Sequence, residues 1–167
     1  MLPDDQLGDT RELHLAWLDF YRETVERKLA GLTDAELRTS RLPSGWSPLE
    51  LLKHLVYMER RWLRWGFAAE PFGQPFADSG GIDDGPWQLE PSDTLDELLT
   101  ALRAGGLRAR EIVTGDLTAK AAIGGRFGVE GERPTLNWIL FHVLQEYARH
   151  VGQLDIAREL ADGATGE

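Results

Sequence analysis

Apolar residues recur at three- and four-residue spacing through four long stretches of this sequence, and no useful run alternates apolar with polar residues. A helix with one apolar stripe has to bury it, so four such stretches in one chain fold against one another. The first carries Leu13, Trp17, Phe20, Tyr21, Val25, Leu29 and Leu32, and starts near Asp9, with Glu12 at capping-box distance. The second has the clearest start signal, "SGWSPLE": Ser47 can cap, Pro48 suits the first helical position, and Glu50 can reach back. It continues through Leu51, Leu52, Leu55, Met58 and Leu63 to about Gly66. The third opens with Thr94 and Glu97, again spaced as a capping box, and runs through Leu98, Leu102 and Leu107 toward Val113. Gly105 and Gly106 weaken its middle by roughly 1 kcal/mol each relative to Ala, so that helix either bends there or packs unusually close to a neighbour. The fourth begins around Pro134 or Thr135 and passes through Trp138, Ile139, Phe141, Leu144, Tyr147, Val151, Leu154 and Ile156 to about Leu160. The prediction is an all-α chain, a four-helix bundle forming a single domain over residues 1–167.

A short helical turn is expected at 34–38, and a second loop covers 121–134. Between the second and third helices lies a long Gly/Pro/aromatic connection at 66–87. It is long enough to cross the bundle end to end, so these two helices need not be antiparallel neighbours. Loops of that length are uncommon unless they serve a site.

Composition narrows the function. The formal charge is −10, from 28 acidic against 18 basic residues, and such a balance opposes binding to nucleic-acid phosphates or anionic lipid. The nearest approach to a basic block, "ERRWLRW" at 59–65, reads as the polar side of a helix. There is no cysteine, which excludes disulfides, a thiolate nucleophile and Cys-ligated zinc. Any metal must be held by nitrogen and oxygen, and any thiol must come with a cofactor or substrate. The acidic N-terminus lacks a signal-peptide pattern and no apolar run approaches a membrane span, so a cytoplasmic protein is expected.

Two of the four histidines lie eight residues apart in "HVLQEYARHVGQLD", with Glu146 midway between His142 and His150. On a helix these are three rungs of one ladder spanning about 12 Å, too far for all three to reach one ion. One outer histidine is therefore left out, and a third ligand must come from another helix. His54, on the inward stripe with Leu51, Leu55 and Met58, can supply it. A plain polar cluster accounts for the same pattern, because helix-surface Glu–His pairs are worth a few tenths of a kcal/mol. Apolar neighbours of Glu146 argue against a freely solvated carboxylate, which would be costly there unless paired or coordinated. On pattern alone both readings stay open.

The segments "PSGWSPLELLKHLVYMERRWL" and "NWILFHVLQEYARHVGQLDIAREL" resemble the DinB-like superfamily of four-helix metalloproteins. Within it, the nearest branch is that of actinobacterial proteins which includes the mycothiol-dependent maleylpyruvate isomerases. Many members read H-x-x-x-H-R-G-Q where this chain reads E-x-x-x-H-x-G-Q, and Glu146 is the form found in the mycothiol-dependent branch. The resemblance implies metal ligands His54, Glu146 and His150, with His142 one turn away as a pocket residue. His14 matches no ligand position. Two imidazoles and a carboxylate suit zinc first, and nickel, iron or manganese also fit such a set. The implied chemistry is transfer of a bound low-molecular-weight thiol, mycothiol or a relative, to a small electrophile, with His142 or Tyr147 assisting proton movement. The isomerases carry an additional C-terminal domain that this sequence lacks, so thiol transfer is expected rather than maleylpyruvate isomerisation. The likeness also implies a homodimer.

Two other classes compete: a metal-stabilised bundle that binds a ligand or partner without catalysis, and a metal-dependent hydrolase. Of the six tryptophans, Trp17, Trp46 and Trp138 are expected to pack in the core. Trp62, Trp65 and Trp87 instead suggest an interface or a loop-covered pocket.

Overall fold

Helix α1 (Thr10–Leu29) is followed by the short α2 (Asp34–Arg38) and by α3 (Pro48–Glu59), which continues without a break as a π-helical segment, Arg60–Phe67. Helices α4 (Leu95–Ile112) and α5 (Leu136–Asp162) complete the order, and the described residues hold no strand beyond an isolated bridge between Lys120 and Thr135. The computed structural model describes residues 2–71 and 88–165. Most of the long connection, with Trp87, lies outside them.

Local chemistry sets where the helices begin. Ser47 accepts the Glu50 amide while the Glu50 carboxylate takes the Ser47 amide at 2.6 Å, a complete capping box with Pro48 just inside. Thr33 and Glu36 form a second complete box at α2. The boxes expected at Asp9 and Thr94 form by half. Both side chains accept the backbone amide three residues on, but Glu97 accepts the Thr94 hydroxyl at 3.0 Å rather than its amide. Thr135 caps α5, and Gly163, at φ 78°, closes it in the left-handed conformation.

Side-chain pairs between helices give their directions. His14 meets Asn137 and Lys28 meets Asp155, so α1 and α5 run parallel. Glu26 pairs with Arg103 and Asp19 with Arg110, so α1 and α4 are antiparallel. Trp62 meets Trp138 and His54 meets His150, which makes α3 and α5 antiparallel. Lys53 reaches Asp93 and Glu70 reaches Arg108, so α3 and α4 lie side by side and parallel. The result is an up–down–down–up four-helix bundle with α1, α5, α3 and α4 in order around it. Two consecutive parallel helices cannot be joined by a tight turn, which explains the length of the 66–87 connection. Its far end is fixed by Lys53, whose buried ammonium donates to the Gln88 carbonyl at 2.8 Å and to Asp93 at 2.6 Å.

The core lies on the expected stripes, with exceptions that matter. Leu98, Leu102, Gly106, Ala109 and Val113 form the inner face of α4, and Leu107, one position off that face, is 69% exposed. Phe141 and Ile156 are likewise outside the buried stripe of α5. Trp138, expected in the core, is 51% exposed, because it stands one turn before His142 on the face that carries the site.

The expectation of a polar face at 59–65 fails at its first residue. Glu59 is 3% exposed and accepts from Arg22 Nε at 2.8 Å and from the Tyr147 hydroxyl at 2.8 Å. Arg22 also donates to Asp19 at 2.7 Å. Burial opposes the Arg22 cation, but the Glu59 carboxylate outweighs it and raises the pKa. The two glycines of α4 make room for this pair. A Cβ on Gly106 would sit 3.2 Å from Arg22 Cδ and Nε, and one on Gly105 would sit 2.9 Å from Glu59 Oε2. The helix does not break at Gly105–Gly106; it packs closely there.

Candidate metal centre

The antiparallel crossing of α3 and α5 brings His54 against the Glu146–His150 ladder. One donor atom from each of these three residues lies within 4.8 Å of the other two. Glu146 Oε2 is 3.1 Å from His150 Nε2 and 3.7 Å from His54 Nε2. The two imidazole centroids are 4.6 Å apart. His54 and His150 are buried, and the Glu146 side chain is nearly so.

The arrangement around His150 is informative. Its Nδ1 lies 2.6 Å from Gln153 Oε1, and in the tautomer that donates from Nδ1 to this oxygen, Nε2 turns its lone pair toward the cluster. Burial above all holds the His150 pKa below its ordinary value, so the ring is neutral. In that tautomer the Nε2 lone pair faces the Glu146 carboxylate, and nitrogen and oxygen lone pairs converging on one point make a donor set that could hold a divalent cation. A tetrahedral site with bonds of about 2.1 Å has donors roughly 3.4 Å apart, close to the 3.1 and 3.7 Å that separate Glu146 Oε2 from the two imidazole nitrogens. The residues fit such an ion, and Gln153 is the outer partner that metal-binding histidines usually have.

His142 stands beside the cluster rather than in it. Its Nε2 is 3.8 Å from the other Glu146 oxygen, beyond hydrogen-bond distance. Its ring stacks on Trp138, with centroids 5.3 Å apart and planes 9° off parallel, and lies 4.1 Å from Trp62. Burial lowers the His142 pKa, as does the charge of Arg126, while Glu146 raises it. Tyr147 points elsewhere. It is fully buried, its hydroxyl donates to Glu59, and burial together with the Glu59 charge raises its pKa well above the ordinary value. A phenol so held keeps its proton near neutral pH, and the structure does not bring it to the histidine cluster. His14 sits in the core, 3.1 Å from Asn137 Oδ1 and edge-on to Phe141.

The π-helical segment shapes the approach to the cluster. Its wider turn carries Trp62 to His142, and π-helical turns recur at functional sites. The 121–134 loop docks on the end of this segment. Ala122 N–H donates to the Phe67 carbonyl at 2.8 Å and Arg126 N–H to the Trp65 carbonyl at 3.2 Å. A Cβ on Gly125 would collide with that Trp65 carbonyl and stand 2.8 Å from Ala69 Cα, so only glycine permits the approach.

A family model described as mycothiol-S-transferase matches residues 13–163, nearly the whole bundle and all of the cluster. The chain belongs to the mycothiol-S-transferase family. It is also 28% identical over 134 residues to the dihydrofolate synthase/folylpolyglutamate synthase of Escherichia coli (strain K12), covering 77% of this chain and 32% of that protein. The chain thus spans about a third of that relative's length, and the synthase activity is a property of the relative. No described helix is long and apolar enough to cross a membrane.

Proposed function

We propose that this member of the family is a metal-dependent thiol S-transferase, which joins mycothiol to a small electrophile. His54, Glu146 and His150 would hold the divalent ion, with zinc the first choice and nickel, iron or manganese compatible with the same donors. The observation that carries this reading is the convergence of two imidazole nitrogens and a carboxylate in a chain that has no thiol of its own. When bound, the ion supplies a lowered thiol pKa, so that thiolate is present near neutral pH.

The chain's own residues supply the rest. Gln153 keeps His150 in the tautomer whose Nε2 faces inward. His142, kept neutral by burial, is the base proposed for the thiol proton. Trp62 and Trp138 flank it and offer flat apolar surface on which an electrophile can lie. The new bond forms between the thiol sulfur and the electrophilic carbon. In a substitution the leaving group departs with its electron pair; in an addition the carbon takes up a proton. The homodimer implied by the resemblance is part of the proposal, supported by an apolar groove between α1 and α5 lined by Trp17, Tyr21, Phe141, Leu144 and Ala148.

The test is conjugation of mycothiol to a halobimane, followed by fluorescence, with the wild type and Glu146→Ala and His142→Ala variants. The wild type should accelerate conjugation, Glu146→Ala should abolish the acceleration, and His142→Ala should lower kcat while the metal stays bound. A wild-type protein carrying metal that gives no acceleration with mycothiol would refute the transferase reading.

A further inference from the structure

In a chain of net charge −10, a cation near the cluster, Arg126, lacks an acidic partner among the described residues. Arg126 makes no ion pair among the described residues; its guanidinium carbon lies 4.3 Å from the centre of the Trp62 ring and 6.0 Å from that of Phe127. Its charged neighbour is another cation, Arg61, and partial desolvation against Trp62 together with that charge lowers the Arg126 pKa. Arg126 is itself an exposed residue, at the open side of the site. The backbone that carries it is held by the Arg126–Trp65 and Ala122–Phe67 hydrogen bonds, the Gly124 N–H bond to the Phe127 carbonyl at 3.1 Å, and the tight seat that Gly125 allows, and the side chain stacks on Trp62 from there.

From this cation the aromatic surface leads directly to the centre. Arg126 lies over Trp62, Trp62 lies 4.1 Å from His142, and His142 adjoins Glu146. A guanidinium stacked on an indole, with no carboxylate partner among the described residues, stands at one end of a flat aromatic strip that ends at the donor cluster, a position suited to receive an oxyanion.

We propose that Arg126 is the anion-recognising residue of this site. It binds the carboxylate of a negatively charged electrophilic co-substrate, whose body lies along Trp62 and His142 with its reactive carbon toward the cluster. This assignment rests on the transferase reading for its chemistry, but the binding part stands on Arg126 alone. Mycothiol is not the ligand meant here; the second reactant is.

The experiment compares two maleimides, one N-substituted with a carboxyalkyl chain and the other with the methyl ester of that chain, as acceptors for mycothiol. The wild type should prefer the acid in kcat/KM, and Arg126→Gln should lose roughly tenfold or more with the acid and little with the ester. Arg126→Lys should recover part of the preference. Equal losses for both acceptors, or none, would overturn the proposal.

A second arm separates this failure from failure of the transferase reading. Binding of 1-naphthoate and of neutral 1-naphthalenemethanol is measured by calorimetry on the wild type and Arg126→Gln, both as purified and with matched melting temperatures. Naphthoate binding weakened about tenfold in the variant, with the alcohol unchanged, supports the assignment even if neither maleimide is turned over. Naphthoate bound equally well by Arg126→Gln would put the carboxylate elsewhere, for example on the metal, and sink it.

Discussion

Replacing Glu59 by Gln tests whether the buried Arg22–Glu59–Tyr147 cluster is electrostatically coupled. The substitution keeps shape and one acceptor oxygen but removes the charge that balances Arg22, a residue 5% exposed. Removing one partner of a buried pair costs about 3–5 kcal/mol. Asp19, 2.7 Å from Arg22, still offsets part of the cation, and the Gln amide oxygen still accepts from Tyr147, so the lower end, about 3 kcal/mol, is expected. For a domain of this size that is a fall in melting temperature of roughly 6–12 °C. Urea denaturation should show the same loss as a lower midpoint with unchanged slope. A triple variant, Arg22→Met with Glu59→Leu and Tyr147→Phe, removes all the polar partners together and should regain most of the loss. A Glu59→Gln loss under about 1 kcal/mol, or a triple variant as unstable as the summed single changes, would refute the coupling.

The glycine contacts give two further expectations. Gly106→Ala should destabilise, although Ala gains roughly 1 kcal/mol of helix propensity, because Arg22 is pinned on two carboxylates and cannot yield to a Cβ 3.2 Å away; a stabilised variant would contradict this. Gly125→Ala should displace the 121–134 loop and so weaken acceptance of the charged maleimide while leaving metal content unchanged, measured by conjugation and elemental analysis.

The parts legible in the sequence were those governed by local chemistry. Ser47, Pro48 and Glu50 announce the start of α3 because a cap is made within four residues. Helical spacing alone put Glu146 and His150 on one face, and the inward stripe of α3 turned His54 toward the bundle interior. The missed parts depend on pairings distant in sequence. Glu59 reads as surface charge until Arg22, thirty-seven residues earlier, and the Gly105–Gly106 notch on α4 are set against it. The glycine pair was the available signal, since two glycines inside a helical stretch need a packing reason. Trp138 misled because an indole usually marks a core, whereas here it flanks His142. Arg126 sits in "IGGRFG", which has no periodicity, and its position becomes apparent only when the loop meets the π-helical end of α3.

The measurement that tests the central claim most directly is metal content by elemental mass spectrometry. It should use protein purified without chelator or a His tag, with His54→Ala and His150→Ala prepared alongside. Near-stoichiometric divalent metal in the wild type, lost in both variants while their helical circular dichroism is retained, is the expected result. Absence of bound metal in the wild type even after reconstitution would contradict it, leaving Glu146 and its histidines as a polar seam in a helical bundle.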